Sequence, residues 1–380
     1  MRRLILAPLA VLVVFSVLNP LAAQAQSSIA VTRSTVEVKF PLQMIFSLAA
    51  KSDANVSDIR LRYSVDQESF AQVISEAYVT FTPGTTVDAQ WTMDMRRIGG
   101  FPPGTTIHYW WIIKNASGAR AETDPAVVVF DDNRYKWQTE SEGLVNLYWY
   151  SGSRSFADQV MSGAQDALTK FGKDTGAQLK NPIRIYVYAS TQDLLGALIF
   201  PYEWTGAVTF SQYSSIAIGI SAGNLTWGKR AIAHELTHMV THQVTFNPYN
   251  DLPRWLDEGL AVYGEGLLDV SFSTALRRAV DSNSLMSVRS LSSPFSANSD
   301  LAALSYAESF SFVSYLISTY GEDKMHALLD VFSKGSTYDN ALQSVYGFDS
   351  DGLNSRWLQY VNDLFQTKKP AVSLAGAGAI

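Results

Sequence analysis

The chain has 380 residues, 47% hydrophobic and 17% charged, with a formal net charge of −6 and a pI of about 5.4. That balance belongs to a folded chain long enough for two or three domains and excludes an intrinsically disordered one. No Lys/Arg-rich stretch occurs, which argues against a nucleic-acid partner because phosphate binding needs clustered positive charge; the lack of cysteine excludes disulfides, thiolate metal sites and lipoprotein attachment.

The first 25 residues read as a secretory signal. Arg2 and Arg3 form a short basic region, Leu4 to Leu18 is an apolar run interrupted by Pro8, and Ala23-Gln24-Ala25 is a small-x-small cleavage site. The run is short for a membrane anchor and a cleavage site follows it. The mature chain is expected to begin near Gln26, to be secreted or extracytoplasmic, and to keep no membrane span.

Residues 26–135 read as an all-β domain. Val36 to Phe40 and Ile59 to Val65 alternate with period two, and Tyr78 to Phe81, Val87 to Met95, Ile107 to Ile113 and Val127 to Phe130 are further apolar runs. Turns are marked by Pro83-Gly84, Pro102-Pro103-Gly104 and Asn115 to Gly118, and Asp131-Asp132-Asn133 marks the exit. Roughly seven short strands over about 100 residues is the pattern of an immunoglobulin-like sandwich, with a barrel as the alternative.

Residues 136–365 read as an α+β, mainly helical domain. Val145 to Trp149, Ile183 to Tyr188, Ala207 to Phe210 and Ser215 to Ile220 are predicted strands, and Phe156, Val160, Ala164, Leu168 and Phe171 space a helix over 155–171. From Trp227 onward the pattern is helical. Ser215 to Ile220 is read either as an interior strand or as the edge that pairs with an extended substrate. The Ala/Gly-rich segment 366–380 is expected to be a flexible tail.

The chemistry concentrates in Ala233-His234-Glu235-Leu236-Thr237-His238, an H-E-x-x-H pattern in a chain with only 5 His, too few for chance to be a good account. Helical residues four apart share one face, so two imidazoles can reach one zinc ion. Glu235 lies about 100° around the helix, placed for an activated water rather than for the metal. A hydrolytic zinc site keeps three protein ligands and one open position. Glu258, in Trp255-Leu256-Asp257-Glu258-Gly259-Leu260-Ala261 and 20 positions beyond His238, is the third candidate. Asn250-Asp251 and Pro253 mark the start of its helix, and the loop from Phe246 to Asp251 lets that helix fold back on the first.

H-E-L-T-H followed by W-L-D-E-G-L-A resembles the gluzincin clan of metallopeptidases, closest to the peptidase MA-like families, over roughly residues 145–365. The resemblance implies a zincin-type peptidase with one Zn2+ per chain, His234, His238 and Glu258 as ligands, Glu235 as base, and a peptide or protein as substrate. Leu304 to Phe310 is similar to the downstream helix on which relatives carry a catalytic tyrosine. Tyr306 stands at that position, where its phenol would donate to the oxyanion; the alternative is a core tyrosine. Aminopeptidases of the clan carry G-x-M-E-N before the zinc helix. Here Gly206-Ala207-Val208-Thr209-Phe210 begins 28 positions before His234 and puts a neutral Thr209 where the acid would be. This favours an endopeptidase over an aminopeptidase, with Glu203 as a possible replacement acid.

The other histidines are read as non-ligands: His242 as a helix-surface or pocket-rim residue, since no glycine turn follows His238, His108 as structural, and His326 as unpartnered. Asp257 is either a carboxylate orienting a ligand imidazole or a solvated helix position. A binding protein on a degenerate peptidase scaffold is the rival reading, and the intact Glu235 speaks against it. The oligomeric state is open.

Overall fold

The structure, a computed structural model, describes residues 28–366 except Trp204 and Leu267. The expected signal segment, residues 1–25, and the tail beyond residue 366 lie outside the described residues. An N-terminal β region is followed by a mixed sheet and then a helical C-terminal region. No helix among the described residues is long and apolar enough to cross a membrane.

The β region comprises β1 (Ile29–Lys39), β2 (Gln43–Ser52), β3 (Val56–Val65), β4 (Ser75–Tyr78), β5 (Thr86–Asp94), β6 (Thr105–Asn115), β7 (Arg120–Glu122) and β8 (Ala126–Phe130). One sheet has the order β1-β2-β5, the other β4-β3-β6-β7, with β8 also paired to β6. All the pairings are antiparallel. The inward faces follow from period-two alternation: Met44, Phe46, Leu48 and Ala50 of β2 are buried, as are Ile59 and Leu61 of β3 and Trp111 and Ile113 of β6. β2 is absent from the strands read in the sequence, although it alternates as well as its neighbours. The strand expected at Tyr78 to Phe81 lies earlier, at Ser75–Tyr78. Its register is fixed by charge, since Glu76 receives Arg60 Nη1 and Arg62 Nε at 2.7 Å each across the pair.

A third sheet is formed by β9 (Gln138–Glu142), β10 (Val145–Trp149), β11 (Ile183–Tyr188), β12 (Ala207–Phe210) and β13 (Ser215–Gly219) in the order β12-β13-β11-β10-β9. β10, β11 and β13 are parallel, and the antiparallel β9 and β12 form the edges. β13 is therefore interior and buried along its whole length, and the edge strand is β12. β13 reads as a continuous apolar run because both its faces are covered.

One face of this sheet packs on α1 (Arg154–Thr175) and the later helix α3: Phe156, Val160 and Ala164 of α1 join Ile183, Ile185, Ile216 and Ile218 in one core. The opposite face, with Tyr186, Tyr188 and Ala217, shares a core with the sandwich. Asp132, at the sandwich exit, holds the two parts together. It accepts from Arg134 Nη2 at 2.6 Å and from the Tyr188 hydroxyl at 3.0 Å.

After the short α2 (Thr191–Leu195) come α3 (Leu225–Thr245), α4 (Arg254–Gly264), α5 (Val270–Asp281), α6 (Ser299–Tyr320), α7 (Glu322–Ser333), α8 (Tyr338–Tyr346) and α9 (Ser350–Gln366). Their core contains Trp255, Leu256 and Leu260 of α4, Phe312 and Leu316 of α6, and Trp357 of α9. Two glycines set how closely α4 can approach its neighbours. A Cβ at Gly259 would meet the Ser309 carbonyl of α6, and one at Gly264 would meet Thr237 Oγ1 of α3. Only glycine permits both contacts at once.

Glu308 on α6 is buried, and its two carboxylate oxygens both accept from Met286 N at 3.1 Å. Burial pushes its carboxyl up to about 8, with the Met286 amide opposing. Between the ordinary carboxylate value and about 8 the folded chain holds a proton that the unfolded chain has lost. Stability therefore falls as pH rises through that window. Glu308→Gln should remove this slope. Its melting temperature should match the parent near pH 5 and exceed it by several degrees at pH 8–9, read by thermal unfolding across pH.

Candidate metal centre

α3 presents His234 and His238 on the side facing α4 and turns Glu235 toward β12. Its opposite side, with Ile232, Leu236 and Met239, is buried against the sheet. No side-chain hydrogen bond caps the helix at Asn224. α4 begins just after Pro253 and carries Glu258 toward the two imidazoles.

Three atoms converge: His234 Nε2 and His238 Nε2 are 3.2 Å apart, and Glu258 Oε2 lies 3.5 and 3.4 Å from them. A tetrahedral ion bound at 2.0–2.1 Å separates its donors by about 3.3–3.4 Å, so this triangle fits one zinc-sized ion with a fourth position open. Among the described residues these three form the one group able to hold a metal. Glu258 is 3% exposed, yet its Oε2 has no hydrogen-bond partner among the described residues. A buried carboxylate oxygen left without a partner is costly unless a cation completes it.

The far side of each imidazole is held by a carboxylate. His238 Nδ1 is 2.8 Å from Asp257 Oδ1, and His234 Nδ1 is 2.8 Å from Glu265 Oε1. These contacts turn the Nε2 atoms inward, the arrangement that orients metal-bound histidines. Of the two readings of Asp257, the structure supports the orienting carboxylate. Glu265 was not singled out in the sequence, although it lies seven positions, two helical turns, beyond Glu258. Arg230 Nη2 pairs with Glu265 Oε2 at 2.8 Å, and Arg254 Nη2 pairs with Glu258 Oε1 at 3.1 Å, leaving Oε2 free to point inward.

Burial alone would lower the basicity of both imidazoles, but the surrounding carboxylates outweigh it. His234 is pushed up to about 9, with Glu258 and Glu265 as the raising groups. His238 is likewise held well above its ordinary value against burial by Asp257 and Glu258. Burial would raise Glu258, and the two imidazoles hold it well below the usual carboxylate range instead. The site is thus built around positive charge, which protons supply when no metal is bound.

Glu235 Oε2 accepts from Thr209 Oγ1 at 2.6 Å. The neutral residue on β12 therefore touches the candidate base directly, a contact the sequence did not suggest. Glu203 is exposed in the loop before β12. Tyr306 on α6 lies across the cleft, its ring centroid 6.4 Å from that of His234. It is stacked on Phe272 at 6.0 Å and set edge-on to Phe295 at 5.3 Å. Burial, then Glu258, raises its phenol well above the ordinary value, which keeps it a hydrogen-bond donor. A cleft of about 450 Å³ on this side is lined by Ala207, Trp227, Arg230, Glu235, Phe272 and Tyr306.

The other histidines lie outside the triangle. His242 sits at the rim with Nε2 3.2 Å from Glu68 Oε2 of the β3–β4 segment, close but out of hydrogen-bonding alignment. His108 lies 3.1 Å from Asp66 on the sandwich surface, more exposed than its apolar neighbours suggest. His326 packs beside Gly176.

Elements and site together are those of a metallopeptidase domain. Residues 163–363 match the model of the Peptidase MA superfamily, and the chain belongs to that superfamily as a distant relative of the gluzincins. No curated protein matches the chain. Among solved structures, wild-type OgpA from Akkermansia muciniphila is similar at 12% identity over 28% of each chain, with a TM-score of 0.22. Legionella pneumophila aminopeptidase A in complex with aspartic acid is similar at 11% identity, over 90% of this chain and 50% of that one, with a TM-score of 0.39. The M1 zinc metallopeptidase from Deinococcus radiodurans is similar at 12% identity, over 88% and 94%, with a TM-score of 0.38.

Glu265→Gln removes the charge that orients His234 while keeping the volume. It should weaken metal retention about 10- to 100-fold with the fold intact, measured by competition with a chromogenic chelator.

Proposed function

We propose that the protein is a secreted or extracytoplasmic zinc-dependent peptidase that cuts internal peptide bonds, with His234, His238 and Glu258 holding one Zn2+, Glu235 as the general base and Tyr306 as the oxyanion donor. Residues 136–365 form the peptidase domain in this reading, and residues 26–135 an immunoglobulin-like sandwich. The observation that carries it is the triangle of Nε2, Nε2 and Oε2 atoms at 3.2–3.5 Å with a carboxylate beside it that is not part of the triangle. A purely structural zinc site would close its fourth position, and three ligands leave it open.

When bound, the ion supplies Lewis-acid activation of water and of the scissile carbonyl. Glu235 takes the proton of the attacking water and delivers it to the leaving amine. Thr209 holds one oxygen of Glu235 and leaves the other for that proton. Tyr306 donates to the oxyanion as charge develops there. Thr209 carries no charge to pair with a substrate ammonium, which supports cleavage of internal bonds over strict removal of amino-terminal residues.

Elemental analysis should find about one zinc per chain, lost on chelation and lost more readily as pH falls, because protons compete for the same imidazole nitrogens. His234→Ala, His238→Ala and Glu258→Ala should each weaken retention. Glu235→Gln should keep the metal and lose turnover by at least about 100-fold. Full peptidase activity in Glu235→Gln would overturn the assignment of the base.

Tyr306→Phe should keep fold and zinc and lower kcat by about 100- to 1,000-fold, the typical effect of losing one oxyanion donor. An unchanged kcat would return Tyr306 to a packing role. Acetylated peptides should still be cut; release of single residues from free amino termini alone would restore the aminopeptidase reading.

A further inference from the structure

The sandwich reaches the C-terminal half of α3. Between β3 and β4, residues 66–74 leave their sheet and lie against the C-terminal half of α3. The Glu68 amide donates to the Gln212 carbonyl at 2.7 Å, and Glu68 Oε2 approaches His242 Nε2 at 3.2 Å. The Phe70 ring stacks on Phe246 at 4.2 Å, with the planes within 9°. Phe70 is nevertheless 57% exposed, so its other face is free.

Beside the triangle lies a cavity of about 210 Å³, lined among others by His238, Thr241, His242, Phe246 and Asn250; His242 and Phe246 are the two residues that the 66–74 segment touches. Thr241 Oγ1 and Asn250 Oδ1 are buried there without a hydrogen-bond partner among the described residues.

β12 runs in the same sense as α3. Gly206 lies against Trp227, Thr209 bonds Glu235, and Ser211 lines the cavity with His238 and His242. A peptide added to the open edge of β12 in the more stable antiparallel sense lays its amino-terminal part over His242. Just past β12 the Gln212 carbonyl is already taken by Glu68, so backbone pairing ends there. From His238 to His242 the helix advances about 6 Å, and an extended residue takes about 3.3 Å.

We propose that the 66–74 segment of the β domain is the end wall of the substrate cleft, limiting a peptide to about two residues on the amino side of the cleaved bond. The proposal rests on the peptidase reading and narrows it to internal bonds close to an amino terminus. The limit is steric: Glu68 lies against Gln212 and His242, and Phe70 against Phe246, at the amino-side end of that path.

The test is a set of peptides with one fixed scissile sequence, extended in steps from one to six residues on the amino side or, separately, on the carboxyl side. Each is prepared free and acetylated, with products read by mass spectrometry. The zinc-loaded full-length protein should hold its kcat/KM up to about two amino-side residues and lose at least ten-fold beyond that. Carboxyl-side extension should cost little, and acetylation should move the break by no more than the one position that the added acetyl group occupies. In Glu68→Ala/Phe70→Ala, checked for zinc content and melting temperature, the long-to-short ratio of kcat/KM should rise at least ten-fold. Equal cleavage at every amino-side length, or a break on the carboxyl side only, overturns the end wall and leaves the peptidase reading standing. No cleavage of any peptide by zinc-loaded protein overturns both. The length series on the parent protein decides the matter without the variant.

Discussion

The structure depends on how closely α4 can lie between α3 and α6. Glu258 reaches the imidazoles of α3 only because Gly264 lets α4 settle against Thr237 and Gly259 lets it settle against Ser309. A single methyl at either position would push α4 away. The 3.2–3.5 Å triangle tolerates little displacement, since donors an ångström further apart no longer share one small ion. The apolar side of α4, with Trp255, Leu256 and Leu260 in the helical core, supplies the burial that holds this approach in place.

Around the triangle the charges are arranged in layers. Asp257 and Glu265 sit behind the imidazoles, and Arg254 and Arg230 sit behind the carboxylates. The three converging atoms are thereby aimed by contacts within the chain, so little side-chain freedom would be lost if an ion bound there. The same carboxylates that raise the two histidines are what make a divalent cation favourable at the centre. Glu308 and Tyr306 are also shifted, but by burial first, and they sit on the neighbouring α6. One helix therefore carries both a cleft-facing phenol and a buried carboxyl that prefers its neutral form.

The sheet and the sandwich shape the approach to this centre. β12 is short and antiparallel at the sheet edge, with Thr209 turned to Glu235. The sandwich shares a core with the back of the sheet through Tyr186, Tyr188 and Ala217, which fixes its β3–β4 segment relative to α3. The N-terminal β region thus packs directly on the back of the sheet and touches α3.

The sequence by itself determined the local features. Period-two alternation placed β1 and β3, apolar runs placed β5, β6, β8, β10, β11 and β13, and the i, i+4 spacing of His234 and His238 put two imidazoles on one helical face. Glu258 was legible because a helix start, a loop and an acid followed in the right order. Whether β13 was interior or edge was left open, since strand order depends on which neighbours a strand finds. Asp257's role, the Glu265 and Arg230 pair, the Thr209 contact with Glu235 and the Glu68–His242 approach were decided only by tertiary structure. Each joins residues on different elements, up to 174 positions apart in the last case. Periodicity reports which face of an element is buried; which groups meet across that face is set by the packing of whole helices and sheets.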